Sequence, residues 1–344
     1  MCDPGIASRI APIVRLASLA LLGLLVPAPA WGSPMIYVSD FHPNPTFLGV
    51  HRFDGTTGAE PTPEPFINHG SPEKSMIIGE TLYLGSLANG AIPRYDKNTG
   101  AFQGFITGGT VLGGAPARDG SALYVASGTV RKLDPATGAV TAETTPPFNV
   151  PWGVATEANG NLLVTTGWMG GGSAVYRYDP NLNLLGTVVP PGTVPGFDFA
   201  AGITVANDGS FYVTQSGAFH SGFGTPNTVV DHIFHFGPGG NLIADITDVA
   251  NGLNGTFDVA IGPDGNLYAT VGGSDFTTGD FHILRFNTAT DTFMDVFASD
   301  PNIALAKTIT FDFQVAAVPE PSSLALAGIG LVLGGLAWRR RTAR

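Results

Sequence analysis

The sequence predicts an all-β fold assembled from one repeated unit, on three observations. A pattern of about 40–55 residues recurs through the middle of the chain. Each copy alternates apolar and polar residues with the period of a strand, and no 3.6-residue apolar stripe runs through it. Gly, Asp and Asn fall at fixed offsets between the strand patterns, where tight turns need them.

The first half of the unit is a strand, a polar turn and a second strand carrying an aromatic residue or Leu. Gly202–Gln215 (GITVANDGSFYVTQ) and Asp258–Val271 (DVAIGPDGNLYATV) show it most clearly, and Gly153–Thr166 (GVATEANGNLLVTT) is a third copy. Ala115–Gly128 and Met76–Leu87 are weaker copies. The turns at Asn207-Asp208-Gly209, Pro263-Asp264-Gly265 and Ala158-Asn159-Gly160 read as hairpins, because Gly enters positive φ without a Cβ clash.

The second half is a strand, a short polar turn and an outer strand. It recurs six times in one phase: His51–Ala59, Ile92–Ala101, Val130–Ala139, Val175–Leu184, Ile233–Leu242 and Ile283–Thr292. In Asp54…Gly58, Asp96…Gly100 and Asp134…Gly138 the Asp side chain can cap the turn while Gly takes its left-handed position. Four short strands repeated six times read as a six-bladed β-propeller over 33–316. The ends fix how the ring closes. Met35–Ser39 matches a second strand with no first strand before it, and Lys307–Gln314 is a first strand with nothing after it. Pairing them removes two open sheet edges. A seven-bladed ring and a paired β-sandwich are the alternatives.

These units resemble the NHL and streptogramin-lyase-like propellers, on the evidence of Gly202–Val213, Asp258–Ala269 and Val175–Asp179. The resemblance implies the fold and leaves the chemistry open.

Both termini read as addresses. Residues 1–32 form a signal peptide: Arg9 and Arg15, an apolar Leu16–Val26, then small residues at Ala28–Ala30 and Ala30–Gly32 for cleavage. Residues 317–344 form a tail in three parts. Val318-Pro319-Glu320-Pro321 is followed by an uncharged apolar helix at 324–338, about 22 Å long at 1.5 Å per residue, and then by Arg339-Arg340-Arg341. Ser322, Ser323 and snorkelling arginines can make up the difference from a bilayer core of about 30 Å. This order resembles the PEP-CTERM sorting signal. The resemblance implies recognition of Pro319, Glu320 and Pro321 by an exosortase-type processing protease and transient membrane insertion by the helix. It also implies arrival in the cell envelope or an extracellular, exopolysaccharide-rich matrix.

Composition narrows the function. The single cysteine, Cys2, lies in the leader, so the exported domain has no disulfide, thiol nucleophile or cysteine-ligated zinc. Residues 33–316 hold ten basic and twenty-five acidic side chains. A charge near −15 does not suit nucleic acid or anionic lipid, whose phosphates need a basic patch.

Candidate binding residues lie at the mouth of the central channel, where second strands end and first strands begin. They are Trp152, Asp198 and Asp258, together with Trp168 and Phe219 on two glycine-rich insertions. Aromatic groups there suit stacking on sugar rings or a protein surface. No metal-ligand constellation, G-x-S-x-G elbow, EF-hand loop or P-loop stands out, and no cofactor is implied. His232 and His235 point to opposite faces of one strand, and His42, His51, His69 and His282 stand apart in sequence. Two functions follow. One is a glycan- or protein-binding or structural display module. The other is a lyase- or lactonase-like enzyme using Asp198, Asp258 or His220.

Overall fold

The computed structural model describes residues 34–40, 48–61, 65–70, 72–86, 90–147, 150–167, 172–216, 230–272 and 281–312. The chain divides into two compact units, and all of these residues belong to the one spanning Pro34–Gln314. The leader, the tail, Trp168, Phe219 and His220 lie outside the described residues.

Six four-stranded antiparallel sheets make six blades, each running from the bore outward. Blade 1 contains β1 (Met35–Asp40), β2 (Gly49–Asp54) and the short β3 (Ile67–Asn68). Blade 2 is β4 (Pro72–Ile78), β5 (Thr81–Ser86), β6 (Ala91–Asp96) and β7 (Phe102–Thr107). Blade 3 is β8 (Gly113–Pro116), β9 (Leu123–Ser127), β10 (Thr129–Leu133) and β11 (Val140–Thr144). Blade 4 is β12 (Pro151–Thr156), β13 (Leu162–Thr166), β14 (Ala174–Tyr178) and β15 (Leu184–Val189). Blade 5 is β16 (Ala200–Val205), β17 (Phe211–Gln215), β18 (His232–Phe236) and β19 (Leu242–Ile246). Blade 6 is β20 (Thr256–Ile261), β21 (Leu267–Val271), β22 (His282–Asn287) and β23 (Thr292–Ser299). The final strand, β24 (Ala306–Asp312), returns to blade 1 as its innermost strand. Among the described residues the helical content is one 3₁₀ turn, Val249–Asn251, and no helix is long and apolar enough to cross a membrane.

The closure expected from the two orphan strands is present. β1 and β24 pair antiparallel from Met35↔Asp312 to Ser39↔Thr308, so the first and last described strands share one sheet. Phe311 packs into the blade 6–blade 1 core, its ring 4.9 Å from that of Tyr268. Lys97, in the outer turn of blade 2, reaches the Asp312 carboxylate at 3.0 and 3.1 Å.

The core is divided by blade. Second strands sit with both faces against neighbouring sheets, so β13, β17 and β21 are buried at every position. That is why they read as nearly continuous apolar runs. Outer strands such as β7 and β19 are mostly exposed. Six apolar clusters result, each packed between two consecutive blades.

The aromatic residue of the second strand has a task beyond packing. The hydroxyl of Tyr37 donates to Lys97 O at 2.7 Å, that of Tyr83 to Pro135 O at 3.0 Å, and that of Tyr124 to Pro180 O at 2.9 Å. Each ties one blade to the outer turn of the next and gives a buried phenol its partner. Blade 4 carries Leu163 at this position, and Arg177 takes over by donating to Pro238 O at 2.7 Å. Tyr212 resumes the pattern toward Thr288 O and Asp291. The turns themselves follow the sequence. Asp96 Oδ1 accepts the amides of Asn98 and Thr99 at 3.0 and 2.8 Å, and Gly100 sits at φ +72°. At the matching place in blade 3, a Cβ on Gly138 would fall on Thr107 O of the preceding blade, so glycine is required there for contact as well as for its φ of +77°.

Candidate functional site

The bore is lined by the six innermost strands, and its width is set by backbone. A bulge interrupts β12, β16 and β20 at corresponding positions. In the first two, a glycine occupies the bulge and presses on the next blade. A Cβ on Gly153 would meet Ala201 O, and one on Gly202 would meet Asp258. A second-strand threonine holds each bulge. Thr165 Oγ1 accepts Gly153 N–H at 2.7 Å and donates to Ala201 O at 3.0 Å, and Thr214 Oγ1 does the same between Gly202 N–H and Phe257 O at 2.8 Å each. The V-T-T and V-T-Q endings of the second strands thus clamp one blade to the next, while Thr270 of A-T-V holds its own bulge through Asp258 N–H at 3.3 Å.

Charged side chains fill what remains. Lys74 from β4 crosses to Asp258 of β20, a pair only 16% and 4% exposed, with Nζ 2.5 Å from Oδ2. The same Oδ2 accepts Ile309 N–H of β24 at 3.2 Å. Beside it Lys307 pairs with Glu73 at 2.6 Å. Burial pushes the carboxyls of Asp258 and Glu73 up, and the facing ammonium pulls each back down. The cavity left among Glu73, Lys74, Trp152, Asp258 and Lys307 is ≈ 20 Å³, about the room of a single water.

The structure brings two of the five expected binding residues together. Trp152 and Asp258 line this one cavity. Trp152 is half-buried, its ring 5.9 Å from Phe199 in an edge contact. Asp198 stands apart: its side chain is exposed, and its backbone amide donates to Gln215 Oε1 at 2.7 Å. Trp168 and Phe219 lie outside the described residues. His232 and His235 do face apart. His232 Nδ1 meets Asp245 at 2.7 Å, whereas His235 stacks on Tyr212 and meets Asp291 at 2.8 Å.

One grouping escaped sequence reasoning. His51 of β2, Glu60 beyond its turn and Asp300 beyond β23 place donor atoms within 4.8 Å of one another. His51 Nδ1 lies 2.9 Å from Glu60 Oε1, and its Nε2 lies 4.0 Å from Asp40 Oδ2. Burial, then the Asp300 carboxyl, pushes Glu60 up to about 9; burial lifts Asp40 to about 6 against the amides of Leu305 and Ala304. His51 looks isolated in sequence because Asp300 is far along the chain and arrives only when the ring closes.

The family model for the PEP-CTERM protein-sorting motif matches residues 317–341, covering Pro319, Glu320, Pro321 and the three arginines. The chain carries a PEP-CTERM sorting motif. A PEP-CTERM signal means export, sorting to the cell envelope in association with the membrane, and processing by an exosortase. No curated protein matches the sequence. Among solved structures, a chain in the crystal structure of a nidogen/laminin complex is similar at 15% identity and TM-score 0.59, over 81% of this chain and 98% of that one. Kuenenia stuttgartiensis hydrazine synthase is similar at 15% identity and TM-score 0.53, over 78% and 90%. At such identity the likeness concerns the fold, which is the propeller. The protein is therefore an exported six-bladed β-propeller with a PEP-CTERM motif at its end.

Proposed function

We propose that this PEP-CTERM propeller is a binding or display module of the envelope or exopolysaccharide matrix, engaging a glycan or a surface protein through the loops at its channel mouth. The observation that carries the reading is the bore itself. Two buried ion pairs occupy it, and the cavity they leave has about the room of a single water. Trp152 at the entrance offers a half-exposed aromatic ring, the kind of surface on which a sugar stacks. Asp258 is committed to Lys74, which argues against its serving as the base or cation ligand of a lyase- or lactonase-like site.

On this reading residues 1–32 are removed on export. The 324–338 helix then holds the protein in the membrane until the exosortase cuts, leaving 33–316 outside the cytoplasm. The test is retention of the full chain on matrix polysaccharide and on isolated surface protein. Wild type is retained, and Trp152→Ala, combined with Trp168→Ala and Phe219→Ala, lowers retention at least about tenfold, the loss of about 1.4 kcal/mol. Equal retention of the triple variant, or turnover of lactone or polysaccharide substrates, would overturn the proposal.

A further inference from the structure

The geometry points to a divalent-cation site at the ring closure, formed by His51, Glu60 and Asp300 and suited to a first-row transition dication such as Zn²⁺ or Mn²⁺. It is independent of ligand binding at the channel mouth.

The first argument is donor chemistry. An imidazole and two carboxylates converge, with donor atoms within 4.8 Å of one another. A tetrahedral dication bonded at about 2.0–2.2 Å holds its donors about 3.3–3.6 Å apart, so side-chain rotation that draws in the widest pair by up to about 1 Å completes the set. The imidazole nitrogen selects Zn²⁺ or Mn²⁺ over Ca²⁺ and Mg²⁺, which prefer oxygen alone.

The second is an enclosed carboxylate oxygen that no N–H reaches. Asp300 is 5% exposed. Its Oδ1 accepts Asn302 N–H at 2.8 Å, while its Oδ2 is buried and, among the described residues, meets no N–H or hydroxyl donor, the Glu60 carboxyl being the group bonded to Asp300. Such an oxygen is costly unless a cation or donor meets it.

The third is charge. Asp40, Glu60 and Asp300 surround one imidazole, and among the described residues no Lys or Arg forms an ion pair with any of the three carboxylates. Two carboxyls held side by side do not both ionise without a positive partner, and a dication supplies one. Asp40 has a separate part. Its oxygens accept Leu305 and Ala304 N–H at 2.8 and 3.4 Å, and it faces His51 Nε2, which leaves Nδ1 toward Glu60 as the ligating nitrogen.

Placement gives the site a role. His51 and Glu60 belong to blade 1, and Asp300 lies on the link from β23 to β24. A cation held by all three fastens the last blade to the first. Metal then stabilises the ring where its first and last strands meet.

The test uses the full chain in detergent, stripped with EDTA and given ZnCl₂, MnCl₂, CaCl₂ or MgCl₂ in turn. After gel filtration, elemental analysis should find one equivalent of Zn²⁺ or Mn²⁺. The melting temperature should rise by about 5 °C at saturating metal. Glu60→Gln and Asp300→Asn, each still melting cooperatively, should lose both effects, while Asp264→Asn, on an exposed turn, keeps them. No retained metal, an equal response to Ca²⁺ and Mg²⁺, or retention in both variants would overturn the site; wild-type metal content decides the matter even if a variant fails to fold.

Discussion

Replacing Lys74 with Met isolates the ion pair that seals the bore. Met has nearly the volume of Lys without its charge, so packing changes little while Asp258 loses its partner. The carboxyl is 4% exposed and keeps only backbone amides, those of Ile309 and Val259. A buried charge stripped of its partner costs about 3–5 kcal/mol, which for a domain of this size lowers Tm by roughly 10 °C. The penalty should depend on pH. Without the ammonium, burial leaves the folded-state pKa of Asp258 above its unfolded value. Its protonated form is then the stable one in the fold. The penalty is small below the ordinary aspartate value, about 4, and grows as pH rises through the raised folded value. Lys74→Met with Asp258→Leu should regain most of the loss but not all, because Ile309 N–H still lacks an acceptor. Urea unfolding of the four proteins of this cycle at pH 7 and pH 4 gives the numbers. A single-variant cost under about 1 kcal/mol, unchanged with pH, would mean that Asp258 is solvated, and the sealed bore would be refuted.

Three further outcomes follow from the same physics. Phe311→Ala, in the closing strand, should cost about 3–5 kcal/mol by calorimetry, whereas Phe102→Ala, 54% exposed on an outer strand, should stay under about 1 kcal/mol; equal costs would remove the closure argument. Thr165→Val keeps the volume but strands Gly153 N–H and Ala201 O, and should cost about 1–3 kcal/mol in urea unfolding. A neutral result would show that the bulge holds without its clamp. The turn carboxyls of Asp96, Asp134 and Asp179 are held below the ordinary value, chiefly by hydrogen bonds from Thr99, Thr137 and Asn183. Their stabilisation is complete above the unfolded aspartate pKa and disappears as pH falls through the lower folded value, so replacing all three with Ala should flatten the acid limb of the stability–pH curve.

The fold was legible because its repeat is written in local chemistry. Asp96 and Gly100 announce a turn wherever they fall, and the unmatched strand patterns at Met35 and Lys307 state that the ring closes on itself. Tyr83 and Tyr124 were visible as an aromatic position, but their hydroxyl latches were not, since each reaches a carbonyl in the next repeat. The site was less legible for the same reason. Trp152 and Asp258 could be placed at the mouth by their position in the unit. That Lys74 spans the bore to Asp258, or that Asp300 comes to His51, depends on which blades face each other across or beside the closure, and no local pattern encodes this.

Intact-mass measurement of the protein recovered from the envelope of an exosortase-bearing cell shows whether the C-terminal tail is removed. The expected species lacks the leader and ends at or near Pro319–Pro321, with the uncut precursor accumulating in the membrane when Glu320 is replaced by Ala. A surface protein that still ends at Arg344, in wild type and Glu320→Ala alike, would contradict that removal.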